Sequence, residues 1–145
     1  MSPQAEPRAP FDHTARVRFY QADPAGVLFY GRIFELVNDA YEELVRAAGI
    51  AFDDHFALRD TATPVVHVAA DYRRPILAGE DVTVRLEVAR LGTSSLHLDF
   101  AVLGPEGELR ASGQVIHVFV DARTFAKVDV PERVREALAP FVAAP

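Results

Sequence analysis

From Pro64 to Val120 the chain holds a hydrophobic period of two and interrupts it only at short turns. In the first run Val66, Val68, Ala70 and Tyr72 share one side, with Val65, His67, Ala69 and Asp71 on the other. Pro75 ends that run and Ala78-Gly79-Glu80-Asp81 turns the chain. Val82, Val84, Leu86 and Val88 then alternate with Thr83, Arg85 and Glu87. After Gly92-Thr93-Ser94, Leu96, Leu98, Phe100 and Val102 alternate with His97 and Asp99. Gly104-Pro105-Glu106-Gly107 predicts a hairpin loop before the last run, Leu109 to Val120. Strands joined by so few residues must be antiparallel neighbours. The last run becomes apolar on both faces (Ile116, Val118, Phe119, Val120), which predicts a central strand covered on both sides.

A sheet with one apolar face has to cover it, and a single upstream segment carries a matching stripe. Ile33, Leu36, Val37, Ala40, Tyr41, Leu44 and Ala48 recur at steps of three and four, with Glu35, Asp39, Glu42, Glu43 and Arg46 opposite them. This predicts a helix from about Arg32 to Ala48, stopped by Gly49. Ahead of it, Ala15, Val17 and Phe19 alternate with Thr14, Arg16 and Arg18, a half-buried strand over His13–Tyr20. Ile50–Thr63 is mixed and reads as an irregular connection with one short helical turn. Pro131 to Phe141 reads as a short closing helix with Pro131 at its first position. The class is α+β: five antiparallel strands curled around one long helix. Residues 13–145 are expected to form that one domain, behind a mobile, proline-rich tail over 1–12.

Composition excludes several functions. A net charge of -6 argues against a general nucleic-acid binder but not against an anionic ligand held by a local arginine cluster. The absence of cysteine removes disulfides, thiolate metal sites and cysteine nucleophiles. His13, His55, His97 and His117 show no ligand spacing with carboxylates, so no metal is expected. The first ten residues lack the apolar core of a signal peptide, and no apolar run approaches the ~20 residues that span a membrane. A cytoplasmic protein with no membrane partner is expected.

The chemistry is expected where the first strand gives way to the helix, at Asp23-Pro24-Ala25-Gly26-Val27-Leu28-Phe29-Tyr30-Gly31. Asp before Pro and Gly is common turn chemistry, and the carboxylate is open to that reading. The second reading places it beside a helix N-terminus, whose unpaired amides favour developing negative charge. Acyl transfer needs an attacking oxygen or a base for water, and donors aimed at the carbonyl oxygen. Asp23 can supply the first; the backbone N–H groups of Tyr30 or Gly31 can supply the second.

That run resembles the active-site segment of the hotdog-fold 4-hydroxybenzoyl-CoA thioesterase family. The likeness continues through the helix, Thr63-Pro64-Val65-Val66-His67, and Asp71-Tyr72-Arg73-Arg74-Pro75-Ile76 to Gly79. It implies a hotdog fold, paired into homodimers or homotetramers with active sites between subunits. It implies an acyl-CoA substrate, with coenzyme A part of that substrate and no separate cofactor. Asp23 matches the catalytic carboxylate, Tyr30 the oxyanion amide and Phe29 an aromatic beside the acyl pocket. Ala40-Tyr41-Glu42 to Gly49-Ile50 and Pro64–His67 look similar to the branch that hydrolyses 1,4-dihydroxy-2-naphthoyl-CoA. A short- or medium-chain acyl group is the alternative substrate.

Where that family places consecutive basic residues against the CoA phosphates, this chain reads Leu91-Gly92-Thr93-Ser94-Ser95 after Arg90. Arg90, Ser94 and Ser95 are the candidates there, Thr63 is a further substrate-binding candidate, and His67 is one for the acyl pocket through an aryl hydroxyl. Arg73-Arg74 is either a solvated strand end or a further nucleotide contact, and Asn38 and Glu42 are outside candidates on the helix. Ser94-Ser95 lacks the frame of a nucleophile elbow, and the helix lacks the histidine a dehydratase of this fold would use. A non-catalytic acyl-binding subunit is the competing reading from another class.

Overall fold

The computed structural model describes residues 9–56 and 60–144. Residues 1–8 of the expected tail, and 57–59 of the irregular connection, lie outside them. In chain order the elements are β1 (Phe11–Arg16), α1 (Ile33–Ala47), α2 (Phe52–Phe56), β2 (Thr61–Ala62), β3 (Val65–Tyr72), β4 (Asp81–Leu91), β5 (Ser95–Leu103), β6 (Leu109–Val118), β7 (Val120–Asp121) and α3 (Glu132–Leu138). Three short 3-10 turns stand at Phe19–Gln21, Tyr30–Arg32 and Ala139–Phe141.

Five strands form one antiparallel sheet in the order β1-β4-β5-β6-β3, and β2 pairs with β7 apart from it. Alternation sends Val82, Val84, Leu86 and Val88 of β4 to one face, with Leu96, Leu98, Phe100 and Val102 of β5. Helix α1 lies against that face through Ile33, Leu36, Val37, Ala40, Tyr41, Leu44 and Val45, all buried. Gly113 makes one close approach possible: a Cβ there would stand 2.0 Å from the Ala69 carbonyl oxygen and 2.7 Å from the Phe100 ring. Phe100 in turn meets Phe34 of α1 edge-on at 6.1 Å. Among the described residues no helix is long and apolar enough to cross a membrane.

Several boundaries differ from the sequence expectation. Phe11 and Asp12 belong to β1, not to a tail. Phe11 pairs with Leu86 and packs edge-on against Phe141 at 6.0 Å, while the Asp12 carboxylate accepts from Arg85 at 2.8 Å. β1 also stops at Arg16 instead of running to Tyr20. The 3-10 turn that follows rotates Phe19 into solvent (90 % exposed) and buries Gln21. Gln21 is satisfied there: its Oε1 accepts from Arg18 N–H at 2.8 Å and its Nε2 donates to Glu35 at 3.1 Å. The last strand breaks at Phe119, so Val120 leaves the large sheet for β2. β6 itself is interior, between β5 and β3. Pro131 caps α3 from one residue ahead of it.

Strand β3 departs most from its pattern. It is one of the two edges, opposite β1, and its side chains are mostly exposed, with Val65, Val66, Val68 and Tyr72 all at least 43 % accessible. A register shift between Val65 and His67 places a bulge at Val66. Such an extra residue turns the strand by one position. Val65 therefore joins Val68 on the helix-facing side.

Candidate active site

The Asp23 bend is closed by its own backbone and by half of its carboxylate. Gly26 N–H donates to the Asp23 carbonyl (2.9 Å), Asp23 N–H donates to Val27 O (2.8 Å), and Gly26 takes φ +80°, which glycine adopts without cost. Asp23 Oδ1 accepts from Ala25 N–H (2.8 Å) and Val27 N–H (3.2 Å). Among the described residues nothing donates to Oδ2. The two readings of Asp23 thus fall on different oxygens: Oδ1 shapes the bend, and Oδ2, on a partly exposed residue, keeps its lone pairs unused among the described residues.

The chain is then tied to the β3–β4 connection through Leu28 N–H on Ile76 O (2.7 Å) and to the preceding 3-10 turn through Phe29 N–H on Gln21 O (2.9 Å). Helical geometry then begins at Tyr30, as a 3-10 turn that runs into α1. The N–H groups of Tyr30 and Gly31 are the first of that run and have no intrahelical acceptor. The Tyr72 hydroxyl donates to the Tyr30 carbonyl from the end of β3. Partial burial raises the Tyr72 phenol pKa, keeping it a donor.

Two cavities meet at this peptide. A cleft of about 640 Å³ is lined by Asp23, Phe29, Tyr30, Tyr72, Arg73 and Arg74 among others. Its neighbour, about 370 Å³, runs between α1 and the β3–β6 edge, from Gly31 past Phe34 and Asn38 to Tyr41 and His117. Of the two outside candidates on the helix, Asn38 lines this second cavity and Glu42 neither.

Behind the second cavity sits a buried polar cluster that sequence reading did not single out. Tyr41 Oη and His55 Nε2 share a 2.5 Å hydrogen bond. His117 stacks on the Tyr41 ring at 5.0 Å and its Nδ1 lies 2.9 Å from the Thr63 carbonyl. Burial, then the neighbouring His117 and Arg133, lowers the His55 pKa to about 4. Burial likewise lowers His117 and raises Tyr41. The signal available in the sequence was His117 on the core-facing side of an alternating strand.

The remaining candidates are dispersed. Phe29 lies in the cleft, its ring 4.6 Å from that of Tyr30. Thr63 lines neither cavity, and its part is the carbonyl that holds His117. His67 lines neither as well: alternating with the helix-facing Val68, it points outward, where it contacts Gln114 at 3.3 Å. Arg90, Ser94 and Ser95 stand at the far end of β4 and β5; the 11 residues of β4 span roughly 33 Å from the end that meets the Asp23 bend. Ser95 Oγ contacts His97 there at 3.1 Å. One chain therefore joins Asp23, Phe29, Tyr30 and Gly31 and leaves those three apart.

A family profile described as the thioesterase-like superfamily matches residues 17–138. A protein named 1,4-dihydroxy-2-naphthoyl-CoA hydrolase from a Synechococcus species is 33 % identical over 123 residues, covering 81 % of this chain and 82 % of that one. Its namesake in Synechococcus elongatus is 29 % identical, covering 84 % and 90 %. In fold, the chain is similar to the crystal structure of a 1,4-dihydroxy-2-naphthoyl-CoA thioesterase from Synechocystis. The TM-score is 0.83 at 22 % identity, over 90 % of this chain and 96 % of that one.

Proposed function

The chain belongs to the thioesterase-like superfamily, and on that premise we propose that it hydrolyses an aryl-CoA thioester at the Asp23 cleft. The names carried by its relatives support 1,4-dihydroxy-2-naphthoyl-CoA as the first substrate to test. The observation that carries the reading is the division of labour within Asp23: Oδ1 is held by two backbone N–H groups and Oδ2 is available in the cleft beside the helix start.

The thioester carbonyl oxygen is directed at the N–H groups of Tyr30 and Gly31, where the helix dipole and two unsatisfied donors stabilise an oxyanion. Asp23 Oδ2 then acts in one of two ways. It attacks the carbonyl carbon, expels the CoA thiolate and forms an anhydride that water hydrolyses. Otherwise it takes a proton from the water that attacks directly. Both routes consume one water and release the acid and CoA, so neither calls for a cofactor. Phe29 flanks the acyl group, and Arg73 and Arg74, lining the same cleft, offer cations to the CoA phosphates.

The partner we propose is a second copy of this chain, paired edge to edge through β3, whose outer edge is open and carries exposed valines. Such pairing is also the route by which Arg90, Ser94 and Ser95 of a neighbouring subunit could approach a cleft. Val68→Lys should shift the chain toward monomer in sedimentation; an unchanged oligomer would place the interface elsewhere.

The functional test is CoA release from a panel of aryl and alkyl thioesters, with Asp23→Asn as control. Hydrolysis unaffected by that change removes Asp23 from the mechanism, and ligand binding without any turnover marks an acyl-binding subunit instead. Isotopic oxygen from solvent, found in Asp23 after one turnover, selects the anhydride route.

A further inference from the structure

Among the described residues His117 is the one histidine lining the cavity beside Gly31, and its polar edge is held in one state. It projects to the core side of β6 and is 6 % exposed. The Thr63 carbonyl can only accept, so Nδ1, 2.9 Å away, carries the proton and donates. A neutral imidazole has one donor and one acceptor, which makes Nε2 an acceptor. Burial keeps the ring neutral by lowering its pKa. Stacking on Tyr41 at 29° between planes stops the ring from turning. The Tyr41 hydroxyl is engaged with His55 Nε2, and among the described residues no hydrogen bond is made to His117 Nε2.

From Gly31 to Tyr41 the cavity follows ten residues of helix, ~15 Å of rise. Helical side chains lean toward the N-terminus, so the usable length is shorter than that rise. Phe34, Val37, Val68 and Leu98 make most of the wall apolar, and Glu35 and Asn38 add polar side chains along the helix side. The space thus has the start of the helical run at one end, the His117 ring at the other and a largely apolar slot between.

We propose that His117 Nε2 accepts a hydrogen bond from a hydroxyl at the distal end of the acyl group, so that this cavity selects hydroxylated aryl thioesters over their unsubstituted parents. The inference rests on the aryl-thioesterase reading above and adds the residue that reads the ring. A site that hydrogen-bonds a substrate hydroxyl rejects the analogue lacking it, because its own polar group is then left unpaired.

The test compares kcat/KM for two pairs, 4-hydroxybenzoyl-CoA with benzoyl-CoA and 1,4-dihydroxy-2-naphthoyl-CoA with 2-naphthoyl-CoA, in the wild type and in His117→Asn. The asparagine amide can still donate to the Thr63 carbonyl but places no acceptor where Nε2 stands. The hydroxylated partner of at least one pair should lose about 10- to 100-fold in kcat/KM while its parent stays within about threefold. Equal losses on both partners of each pair would overturn the assignment and leave the thioesterase reading standing. Failure of the wild type to hydrolyse any of the four would remove both together. The unmodified protein supplies a second measurement should the variant not fold. By calorimetry, 1,4-dihydroxy-2-naphthoate should bind at least about tenfold more tightly than 2-naphthoate, and equal affinities would overturn the proposal.

Discussion

Around Tyr30, where the helical run begins, polar groups are left with bonds to make. Among the described residues Asp23 Oδ2 has no donor, and the N–H groups of Tyr30 and Gly31 have no intrahelical acceptor. About three turns further along the same helix, Tyr41 and His55 satisfy one another in the core at 2.5 Å. The two regions lie at two levels of α1, and the difference is whether their polar groups already have partners. A polar group buried without a partner costs stability, so the Tyr41–His55 pair is closed by its own members. A group that must bind a transient oxyanion has to stay unpaired in the resting state, which is tolerable only beside a solvent-filled cleft. Variants at the first site should therefore change turnover and spare stability, and variants at the second should do the reverse.

The largest effect should come from Asp23→Asn. Asparagine keeps an oxygen for the Ala25 and Val27 N–H groups, so the bend survives and the melting temperature should move by no more than ~3 °C. The nucleophile or base is lost, and kcat should fall by at least ~10³, about 4 kcal/mol of barrier. Turnover and stability measured on the same preparation decide it. A matched loss in both would return Asp23 to a purely structural role.

The inner cluster should show itself through pH. His55 binds its proton near pH 4 when folded, whereas an unfolded histidine does so near 6.5. Between those values the unfolded chain holds a proton that the folded chain does not, so stability falls as pH falls. From pH 7 to pH 5 this removes about 2 kcal/mol, approaching about 3 kcal/mol by pH 4. His117, also depressed, acts in the same direction. Urea melts of the wild type and of His55→Gln at both pH values isolate the first contribution: the glutamine variant should lose about 2 kcal/mol less. Parallel slopes would show that His55 does not carry the proton linkage.

Much of this architecture could be read from the sequence, because period and turn chemistry are local. The stripe from Ile33 to Leu44 and the alternation of β4 and β5 were sufficient for the sheet and its covering helix. What could not be read depends on neighbours. β3 and β5 alternate equally well, yet β5 is buried at the centre and β3 lies exposed at the edge; strand order is not encoded in alternation. Only Val65 changes side at the bulge, and His67 faces outward opposite Val68; which strand histidine meets the helix depends on neighbouring strands, so the outward histidine was chosen as the acyl contact and the inward His117 was passed over. Phe19 continued an apolar alternation that a 3-10 turn then carried into solvent. At Asp23 the two readings excluded each other only while the carboxylate was treated as one object.

Tyr72 links the two halves of that comparison, since a side chain from the edge strand acts on the open end of the helix. Its hydroxyl donates to the Tyr30 carbonyl, and that carbonyl shares a planar trans peptide with the Gly31 N–H, which must point the opposite way. Fixing one end fixes the other, and a hydrogen bond to the oxygen polarises the N–H as a donor. Tyr72→Phe leaves the ring in place and removes only this tie. The Tyr30 carbonyl, on a largely exposed residue, can turn to water, so the melting temperature should change little. The N–H would then be less well aimed at an oxyanion than at a ground-state carbonyl. The loss should fall on kcat, about tenfold or ~1.4 kcal/mol, with KM within about threefold. A rise in KM at constant kcat would instead mean that the phenol contacts the bound substrate directly and that the Gly31 amide keeps its direction without it.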